Sequence, residues 1–243
     1  MQAFIAELIV VGSVEFTNEL YTKIYFSGCD FRCPYCNKPH MLETKPEQQT
    51  EIREIYNKLE NQRETVEGVL LTGGEPCFQK QALIEICKKA KELKLKTVLD
   101  TNGSKPEVIE ALLKNELIDI IIMDFKASLK QDFNKATNSA TFFKSTKKII
   151  KDIKQTLEIL KAYDEKTEII FNTTIVPGLI YKKEELLEIA EEIKNINAAW
   201  QLQPFTNETV KDKRYQDIIR PTSSFIENLK EAIRKEYPKM RIN

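Results

Sequence analysis

Three of the five cysteines stand within eight positions, Cys29, Cys33 and Cys36, in the spacing C-x3-C-x2-C. A short irregular loop of this spacing can turn three thiolates toward one point, and three thiolates can ligate three irons of a four-iron cluster while the fourth iron stays open. Because His40 lies four residues beyond Cys36, a structural Cys3His zinc site is the alternative interpretation. The remaining cysteines, Cys77 and Cys87, are expected to be ordinary buried thiols.

Two further motifs follow apolar runs. Gly73-Gly74-Glu75-Pro76 comes directly after Gly68–Thr72, in a chain with only seven glycines. Such a pair suits a ligand that lies against the backbone, where peptide groups can bind an amine or a carboxylate, but a tight turn would use it equally well. Asp124 and Lys126 follow a very apolar run. They could bind the two ends of a zwitterion or begin a solvated loop.

The elements that must position these motifs alternate along the chain. Apolar or β-rich runs predict six strands, at 21–26, 68–72, 96–100, 118–124, 168–176 and 199–204. Helical spacing predicts helices over about 47–62, 81–94, 106–115, 146–163, 183–193 and 225–237. Buried strands joined through helices predict an α/β fold with a parallel sheet, and six units rather than eight predict a partial (β/α)6 TIM-type barrel with an N-terminal strand or hairpin and a C-terminal helix.

This order of elements places the motifs at one edge of the sheet. The cysteines follow the first strand, the Gly-Gly pair the second, Asp100 ends the third and Asp124 the fourth. In parallel α/β sheets, functional sites collect at the carboxyl ends of the strands. We therefore expect one domain over 1–243, with a core over about 21–205 and a covering segment over about 206–243.

Composition bounds the class of protein. Lys plus Arg equals Asp plus Glu at 37 each, so no overall charge favours nucleic acid or an anionic membrane. The N-terminus lacks the basic region of a secretory signal, and no apolar run reaches about 18 residues, the length of a membrane helix. A cysteine cluster of this kind is unlike a secreted disulfide framework. The sequence thus predicts a cytoplasmic protein without membrane partners.

Together the cysteine loop and Gly-Gly-Glu-Pro, each after its own strand, resemble the radical S-adenosylmethionine (SAM) superfamily. The resemblance implies a [4Fe-4S] cluster on Cys29, Cys33 and Cys36, and SAM bound to the open iron through its amino and carboxylate groups. Reductive cleavage of SAM would yield a 5′-deoxyadenosyl radical that abstracts hydrogen, and the protein would orient the reactants and exclude water and oxygen.

More closely, the chain resembles the activating enzymes of glycyl-radical enzymes, the group that contains the pyruvate formate-lyase and anaerobic ribonucleoside-triphosphate reductase activases. The matching landmarks are Leu99–Gly103, Met123–Lys126, Ile175–Gly178 and Gln203–Phe205. By this likeness three groups of residues would contact SAM: Tyr35, Cys36 and Asn37 beside the adenine, Gly73, Gly74 and Glu75 at the methionyl amine, and Asp100, Asp124, Lys126 and Asn172 along the rest of the pocket. No residue is expected to act as an acid or base.

Some positions depart from the group's pattern. Cys36 is followed by Asn37-Lys38 where activases commonly have His-Asn, and Val14-Glu15-Phe16-Thr17 stands where they often have a Gly-rich segment. Asn172 takes the place of an Arg found in some relatives, and Thr206 that of a His. These departures bear on the identity of the partner enzyme more than on cofactor binding.

Three functional hypotheses follow. The favoured one is an anaerobic ribonucleoside-triphosphate reductase activase, with a glycyl-radical enzyme as protein substrate and flavodoxin or ferredoxin as reductant. The second is a radical SAM enzyme that acts on a small molecule or nucleobase, such as a 7-carboxy-7-deazaguanine synthase. The third is a zinc-stabilised binding module without catalysis. The stretch from Lys130 to Lys148, rich in Lys, Asn, Ser and Thr, either contacts a partner or is a solvated loop, and the loop is the favoured interpretation.

Overall fold

The computed structural model describes residues 1–14, 17–130 and 133–243. It divides into two compact units. The first unit comprises residues 1–30, 40–101 and 107–122, and the second comprises residues 31–39, 102–106 and 123–243. The prediction of a single domain is not tested by this division and stays a prediction.

The first unit carries the N-terminal half of the strands. These are β1 (Gln2–Val14), β2 (Thr17–Phe26), β3 (Gln49–Glu51), β4 (Gly68–Gly73) and β5 (Lys96–Thr101), in the order β3-β1-β2-β4-β5, followed by β6 (Ile120–Asp124). β1 and β2 form an antiparallel hairpin, whereas β2, β4 and β5 run parallel. The predicted N-terminal hairpin is confirmed, and so are the second and third predicted strands within one or two residues.

The helices of this unit are α1 (Ile52–Gln62), α2 (Lys80–Glu92) and α3 (Pro106–Lys114), the last of which belongs to the unit from Glu107 onward. α1 forms because Ile52, Ile55 and Leu59 recur at helical spacing and are buried. The prediction that this helix starts near Glu47 is wrong. Residues 46–48 form a 3-10 turn, and β3 pairs antiparallel with the first residues of β1.

The second unit contains the end of β6 and eight further elements. These are α4 (Phe133–Thr137), α5 (Thr146–Tyr163), β7 (Glu168–Ile175), α6 (Lys183–Ile193), β8 (Ala198–Pro204), α7 (Lys213–Gln216), α8 (Ser223–Glu236) and β9 (Arg241–Ile242). The strand order is β6-β7-β8-β9, and β7, β8 and β9 run parallel. The core of this unit includes Phe171 and Trp200, both almost completely buried.

The strand order runs from β3 to β9, and the described residues of these two strands do not pair with each other. The sheet is therefore not closed, and it is mostly parallel because β2, β4 and β5 run parallel, as do β7, β8 and β9. Both findings confirm the α/β class and the incomplete barrel. β9 was not expected, because two residues after a helix carry no strand period. No helix within the described ranges is long and apolar enough to cross a membrane.

The expectation of a solvated loop over Lys130 to Lys148 is wrong in part. Residues 133–137 form α4, and Phe133, Ala136, Thr137 and Ser139 are buried. Apolar burial at Phe133 outweighs the polar composition that favoured a loop. Gln131 and Asp132 lie outside the described residues, as do Glu15 and Phe16 of the N-terminal departure from the activase pattern.

Candidate functional site

The chain that leads into the cysteines is held by backbone hydrogen bonds within the first unit. Gly28 has φ +91, a conformation that favours glycine. Its N–H donates to the carbonyl of Met41 at 2.8 Å, and that of Cys29 donates to the carbonyl of Leu42 at 3.1 Å. Cys29, the first predicted cluster ligand, therefore follows β2 on a segment that backbone hydrogen bonds to Met41 and Leu42 hold in place.

Cys33 and Cys36 belong to the second unit, where the N–H of Cys36 donates to the carbonyl of Cys33 and closes a tight turn. The turn is supported by α4. The ring of Phe31 meets that of Phe133 edge to face with centroids 6.1 Å apart, and the N–H of Arg32 donates to the carbonyl of Thr137. The segment expected to be a loop therefore carries the cysteine turn.

The three cysteines provide a donor set that suits an iron-sulfur cluster. All three are free thiols and partly exposed, whereas Cys77 and Cys87 are buried, as expected. Burial raises the pKa of Cys33 to about 11, with Lys126 acting in the opposite direction. Across residues 1–14, 17–130 and 133–243, no group of three or more His, Cys, Asp or Glu side chains is close enough to hold a metal ion.

At the end of β4, the two glycines make room for the protein's own backbone. A Cβ on Gly73, whose φ is +115, would lie 2.4 Å from the carbonyl oxygen of Phe26, and a Cβ on Gly74 would lie 2.3 Å from that of Gly28. The N–H groups of Gly74 and Glu75 donate to the same two carbonyls at 2.8 Å. The groups that lie close to these two glycines are thus the carbonyls of Phe26, at the end of β2, and of Gly28.

Glu75 is completely buried, and its carboxylate faces the protein. It accepts hydrogen bonds from the N–H of Cys77 at 3.0 Å and from the hydroxyl of Thr101 at 2.7 Å. The N–H groups of Gly74 and Glu75 are already used, so neither is free to donate to the carboxylate of a ligand beside this turn. Carbonyl oxygens accept from an ammonium group and repel a carboxylate. The local polarity suits an amine.

Asp100, at the end of β5, accepts a 2.5 Å hydrogen bond from the hydroxyl of Thr72 in β4. Burial raises the pKa of Tyr25, and the carboxylates of Glu7 and Asp100 raise it further. Asp100 is therefore oriented by a neighbouring strand. Motif spacing gave no signal for Thr72 or Thr101, although Thr72 adjoins Gly73 and Thr101 adjoins Asp100.

In the second unit, Asp124 and Lys126 bind each other, with Nζ and Oδ2 2.8 Å apart. The amide of Asn172 donates to Asp124 Oδ1 at 2.9 Å and to Gln203 Oε1 at 3.1 Å. Burial raises the pKa of Asp124, but Lys126 and Asn172 outweigh it, so the pKa lies below the usual 3.8. Burial lowers the pKa of Lys126, and the charge of Asp124 reverses this and holds it well above 10.5.

This ion pair argues against the alternative that Asp124 and Lys126 begin a solvated loop, whereas their contact with SAM stays a prediction. Both side chains are mostly buried, at 30% and 18% exposure, and neutralise each other. Gln203 joins them through Asn172, and sequence reasoning missed that role. Its signal was present, since Gln203 belongs to one of the activase landmarks.

Two buried polar atoms of the second unit have no hydrogen-bond partner among the described residues, the hydroxyl of Tyr35 and Oδ1 of Asn172. Burial holds the pKa of Tyr35 well above its usual value, so its hydroxyl is a donor. Unpaired buried polar groups are costly, and native proteins usually satisfy them. The Tyr35 hydroxyl can therefore donate to a polar ligand, and Asn172 Oδ1 can accept from one. Asn37 is exposed, and its carbonyl accepts from Thr209.

Comparisons with known proteins agree with these features. The family model described as the radical SAM superfamily matches residues 24–193. A Methanocaldococcus jannaschii protein, provisionally named a glycyl-radical enzyme activating enzyme, is 29% identical over 97% of this chain and 93% of its own length. The pyruvate formate-lyase-activating enzyme of Clostridium pasteurianum is 25% identical, covering 81% of this chain and 79% of its own.

A 7-carboxy-7-deazaguanine synthase of Methanopyrus kandleri is 30% identical, but over 49% of this chain and 54% of its own length. Among solved structures, QueE of Escherichia coli has a TM-score of 0.61 with 13% identity, and the match covers 100% of this chain and 93% of that one. This last likeness concerns the fold alone.

Proposed function

Because the chain belongs to the radical SAM superfamily, whose members use a [4Fe-4S] cluster and SAM, we propose that it installs a glycyl radical on a partner enzyme, most specifically an anaerobic ribonucleoside-triphosphate reductase. The observation that carries the proposal is the near full-length similarity to the M. jannaschii protein that is provisionally named a glycyl-radical enzyme activating enzyme. The similarity to a pyruvate formate-lyase-activating enzyme supports the same class of reaction.

In this proposal the thiolates of Cys29, Cys33 and Cys36 hold the cluster. When bound, the cluster supplies the electron that cleaves SAM to methionine and the 5′-deoxyadenosyl radical, which takes a hydrogen atom from the glycine Cα. Flavodoxin or ferredoxin is the proposed reductant, and the cytoplasm the proposed location. The chain's own contribution is to bind and orient SAM and to exclude water.

The binding groups have distinct proposed tasks. Carbonyl oxygens near Gly73 and Gly74 accept from the methionyl amine, and Glu75 acts indirectly by holding that turn from its buried position. The unpaired Tyr35 hydroxyl and Asn172 Oδ1 supply a donor and an acceptor to the nucleoside half of SAM. The remaining contacts of the proposed pocket come from Cys36, Asn37, Asp100, Asp124 and Lys126.

A second candidate is a 7-carboxy-7-deazaguanine synthase, favoured by the 30% identity over half the chain. With a protein substrate or with a small molecule, the same cofactor would transfer the radical to a different place. Only a protein substrate retains the radical as a stable spin on its own backbone. The two candidates therefore differ in where the spin is found after SAM cleavage.

The test begins with anaerobic reconstitution with iron and sulfide, reduction, and an assay of 5′-deoxyadenosine with SAM present. Each glycyl-radical enzyme encoded in the same genome is then added, and the glycyl radical is quantified by electron paramagnetic resonance. A radical on the ribonucleotide reductase supports the full proposal, and one on another enzyme corrects the partner. SAM cleavage with no radical on any of them, together with 7-carboxy-7-deazaguanine formation, would move the assignment to the second candidate. The Cys33→Ala variant is the control for cluster-dependent cleavage.

A further inference from the structure

Two adjacent phenylalanines in the second unit are almost fully exposed, Phe142 at 97% and Phe143 at 94%. Their rings meet each other edge to face, with centroids 5.3 Å apart. Single exposed apolar residues are common on protein surfaces, but neighbouring large ones mark interaction sites. Aromatic rings are also the side chains that carry most binding energy when a partner covers them.

The loop that presents these rings is organised by its own hydrogen bonds. Oδ1 of Asn134 accepts from the N–H groups of Ser139 and Ala140 at 3.0 and 2.8 Å. The N–H of Thr141 donates to the carbonyl of Lys144 at 2.9 Å, and its hydroxyl oxygen accepts from the N–H of Lys144 at 3.1 Å. These bonds close a turn around Phe142 and Phe143, so the exposure of the rings is built into the fold.

The same segment supports the cysteine turn. Phe133 packs on Phe31, and the carbonyl of Thr137 accepts from the N–H of Arg32. The distance along the chain from Thr137 to Phe142 is five residues. A protein bound to the phenylalanines would therefore contact the element on which two of the proposed cluster ligands depend.

The charge of the segment indicates the partner's chemistry. Residues 133–154 contain six lysines and one acidic residue, Asp152, in a chain whose formal net charge is zero. Asp152 pairs with Lys144 and Lys148. Lys147 and Lys151 are exposed on successive turns of α5, and no ion pair within the described ranges involves either of them.

We propose that Phe142, Phe143, Lys147 and Lys151 form a docking surface for the protein substrate of this enzyme, through a patch on that substrate that is apolar at its centre and acidic at its edge. This inference rests on the proposed function, because it names the glycyl-radical enzyme as the occupant. Two adjacent rings that are almost fully exposed suit the pocket of another protein, whereas a small molecule would need a concave site to enclose it. Opposite charges at the edge would raise the association rate and make it sensitive to salt.

The test compares wild type with the double variant Phe142→Ser/Phe143→Ser, using the reconstituted holoenzyme and the glycyl-radical enzyme identified above. We expect the concentration of partner that gives half-maximal radical formation to rise at least tenfold. The maximal rate and the partner-independent cleavage of SAM should not change. Ile219→Ser is the matched control, because Ile219 is also an exposed apolar residue at 86% but lies outside the segment. This variant should leave the half-maximal concentration, the maximal rate and the partner-independent cleavage of SAM unchanged.

The charge component has its own variant, Lys147→Gln/Lys151→Gln, which should weaken activation and remove most of its salt dependence. An unchanged half-maximal concentration in the phenylalanine variant, with normal activation by wild type, would overturn the docking surface and leave the proposed function standing. If wild type activates no glycyl-radical enzyme, both fail. Two other results would also overturn it: phenylalanine-dependent flotation with phosphatidylserine vesicles, or a dimer in analytical ultracentrifugation that the variant loses.

Discussion

The hydroxyl of Thr101 donates a 2.7 Å hydrogen bond to the carboxylate of Glu75, and so joins the ends of β5 and β4. A second hydrogen bond joins the same two strand ends with donor and acceptor exchanged between the strands. Its donor is the hydroxyl of Thr72 in β4, and its acceptor is Asp100 in β5, at 2.5 Å. Each strand thus contributes one threonine and one acidic partner. The reciprocal pairing holds two segments in register where the motif residues of the first unit lie.

The buried carboxylate of Glu75 is the first target. We expect Glu75→Ala to lower the free energy of unfolding by about 2–4 kcal/mol, because the Cys77 N–H and the Thr101 hydroxyl would lose their acceptor in a buried position. Glu75→Gln keeps one acceptor oxygen and should cost less. Urea denaturation measures both, with Glu110→Ala on the exposed side of α3 as control, expected within about 0.5 kcal/mol of wild type. A Glu75→Ala protein as stable as wild type would contradict the role of this carboxylate.

The second prediction concerns Gly74 in the turn after β4. Gly74→Ala places a methyl group 2.3 Å from the carbonyl oxygen of Gly28, so the backbone must move, and we expect a loss of about 3 kcal/mol or more. Gly178 is the matched control. Its φ is +80 with nothing within 4 Å of an added Cβ, so Gly178→Ala should cost only about 1 kcal/mol of backbone strain. Equal losses in thermal or urea unfolding would show that the contact with Gly28 is not tight.

Asp152 makes stability depend on pH. Burial raises the pKa of this carboxyl, but the ammonium groups of Lys148 and Lys144, at 2.7 and 3.0 Å, outweigh it and bring the pKa below 3.8. A carboxyl with a lowered folded pKa contributes stability that is complete above its unfolded pKa and is lost as the pH falls through the folded value. Asp152→Asn should therefore cost about 1–2 kcal/mol at pH 7.

As the pH falls below about 4, that difference between wild type and Asp152→Asn should shrink toward zero, because the wild-type carboxyl is protonated first in the unfolded chain and then, at its lower pKa, in the folded protein. Urea denaturation at a series of pH values measures the change. Asp217→Asn, at an exposed position, is the control for the loss of a surface carboxylate and should stay within about 0.5 kcal/mol of wild type at pH 7. A constant difference from pH 7 to pH 3 would rule out the linkage.

The cysteines divide into two groups with opposite expected behaviour. Cys33→Ala should abolish iron loading and SAM cleavage together, because a four-iron cluster needs its three protein thiolates. Cys87→Ala should retain both, since Cys87 is completely buried in α2, and should lose only about 1 kcal/mol of stability. Iron content, the absorbance of the cluster and 5′-deoxyadenosine are the measurements. Full SAM cleavage by Cys33→Ala would refute the ligand assignment.

Much of the fold could be predicted because its strands are apolar runs that end at glycine or polar residues. Gly68–Gly73 and Lys96–Thr101 were found in this way. The missed elements β3, α4 and β9 are short, and pairing or packing with distant residues creates them. β3, for example, exists because Gln49–Glu51 lie opposite Gln2–Phe4, a relation with no local signal.

The candidate site shows the same division. Glu75 and Asp124 were selected by their motifs and Asn172 by the resemblance to activases, but the neighbours of all three could not be predicted from spacing. Glu75 bonds to Thr101, 26 positions away, and Asn172 bonds to Asp124 across 48 positions. Side chains satisfy their charges and hydrogen bonds with whatever the fold brings near them.

By itself, the sequence determined the α/β class, the superfamily and the three thiols, since each depends on residue types at short, regular separations. Only the tertiary structure decided that Asp124 and Lys126 neutralise each other, that the Gly-Gly pair makes room for the chain after β2, and that α4 supports the cysteine turn. These outcomes depend on which distant groups share a buried space. Inside a protein, burial makes an unpaired charge or hydrogen-bonding group costly, so the partner that is present in space sets the role of each residue.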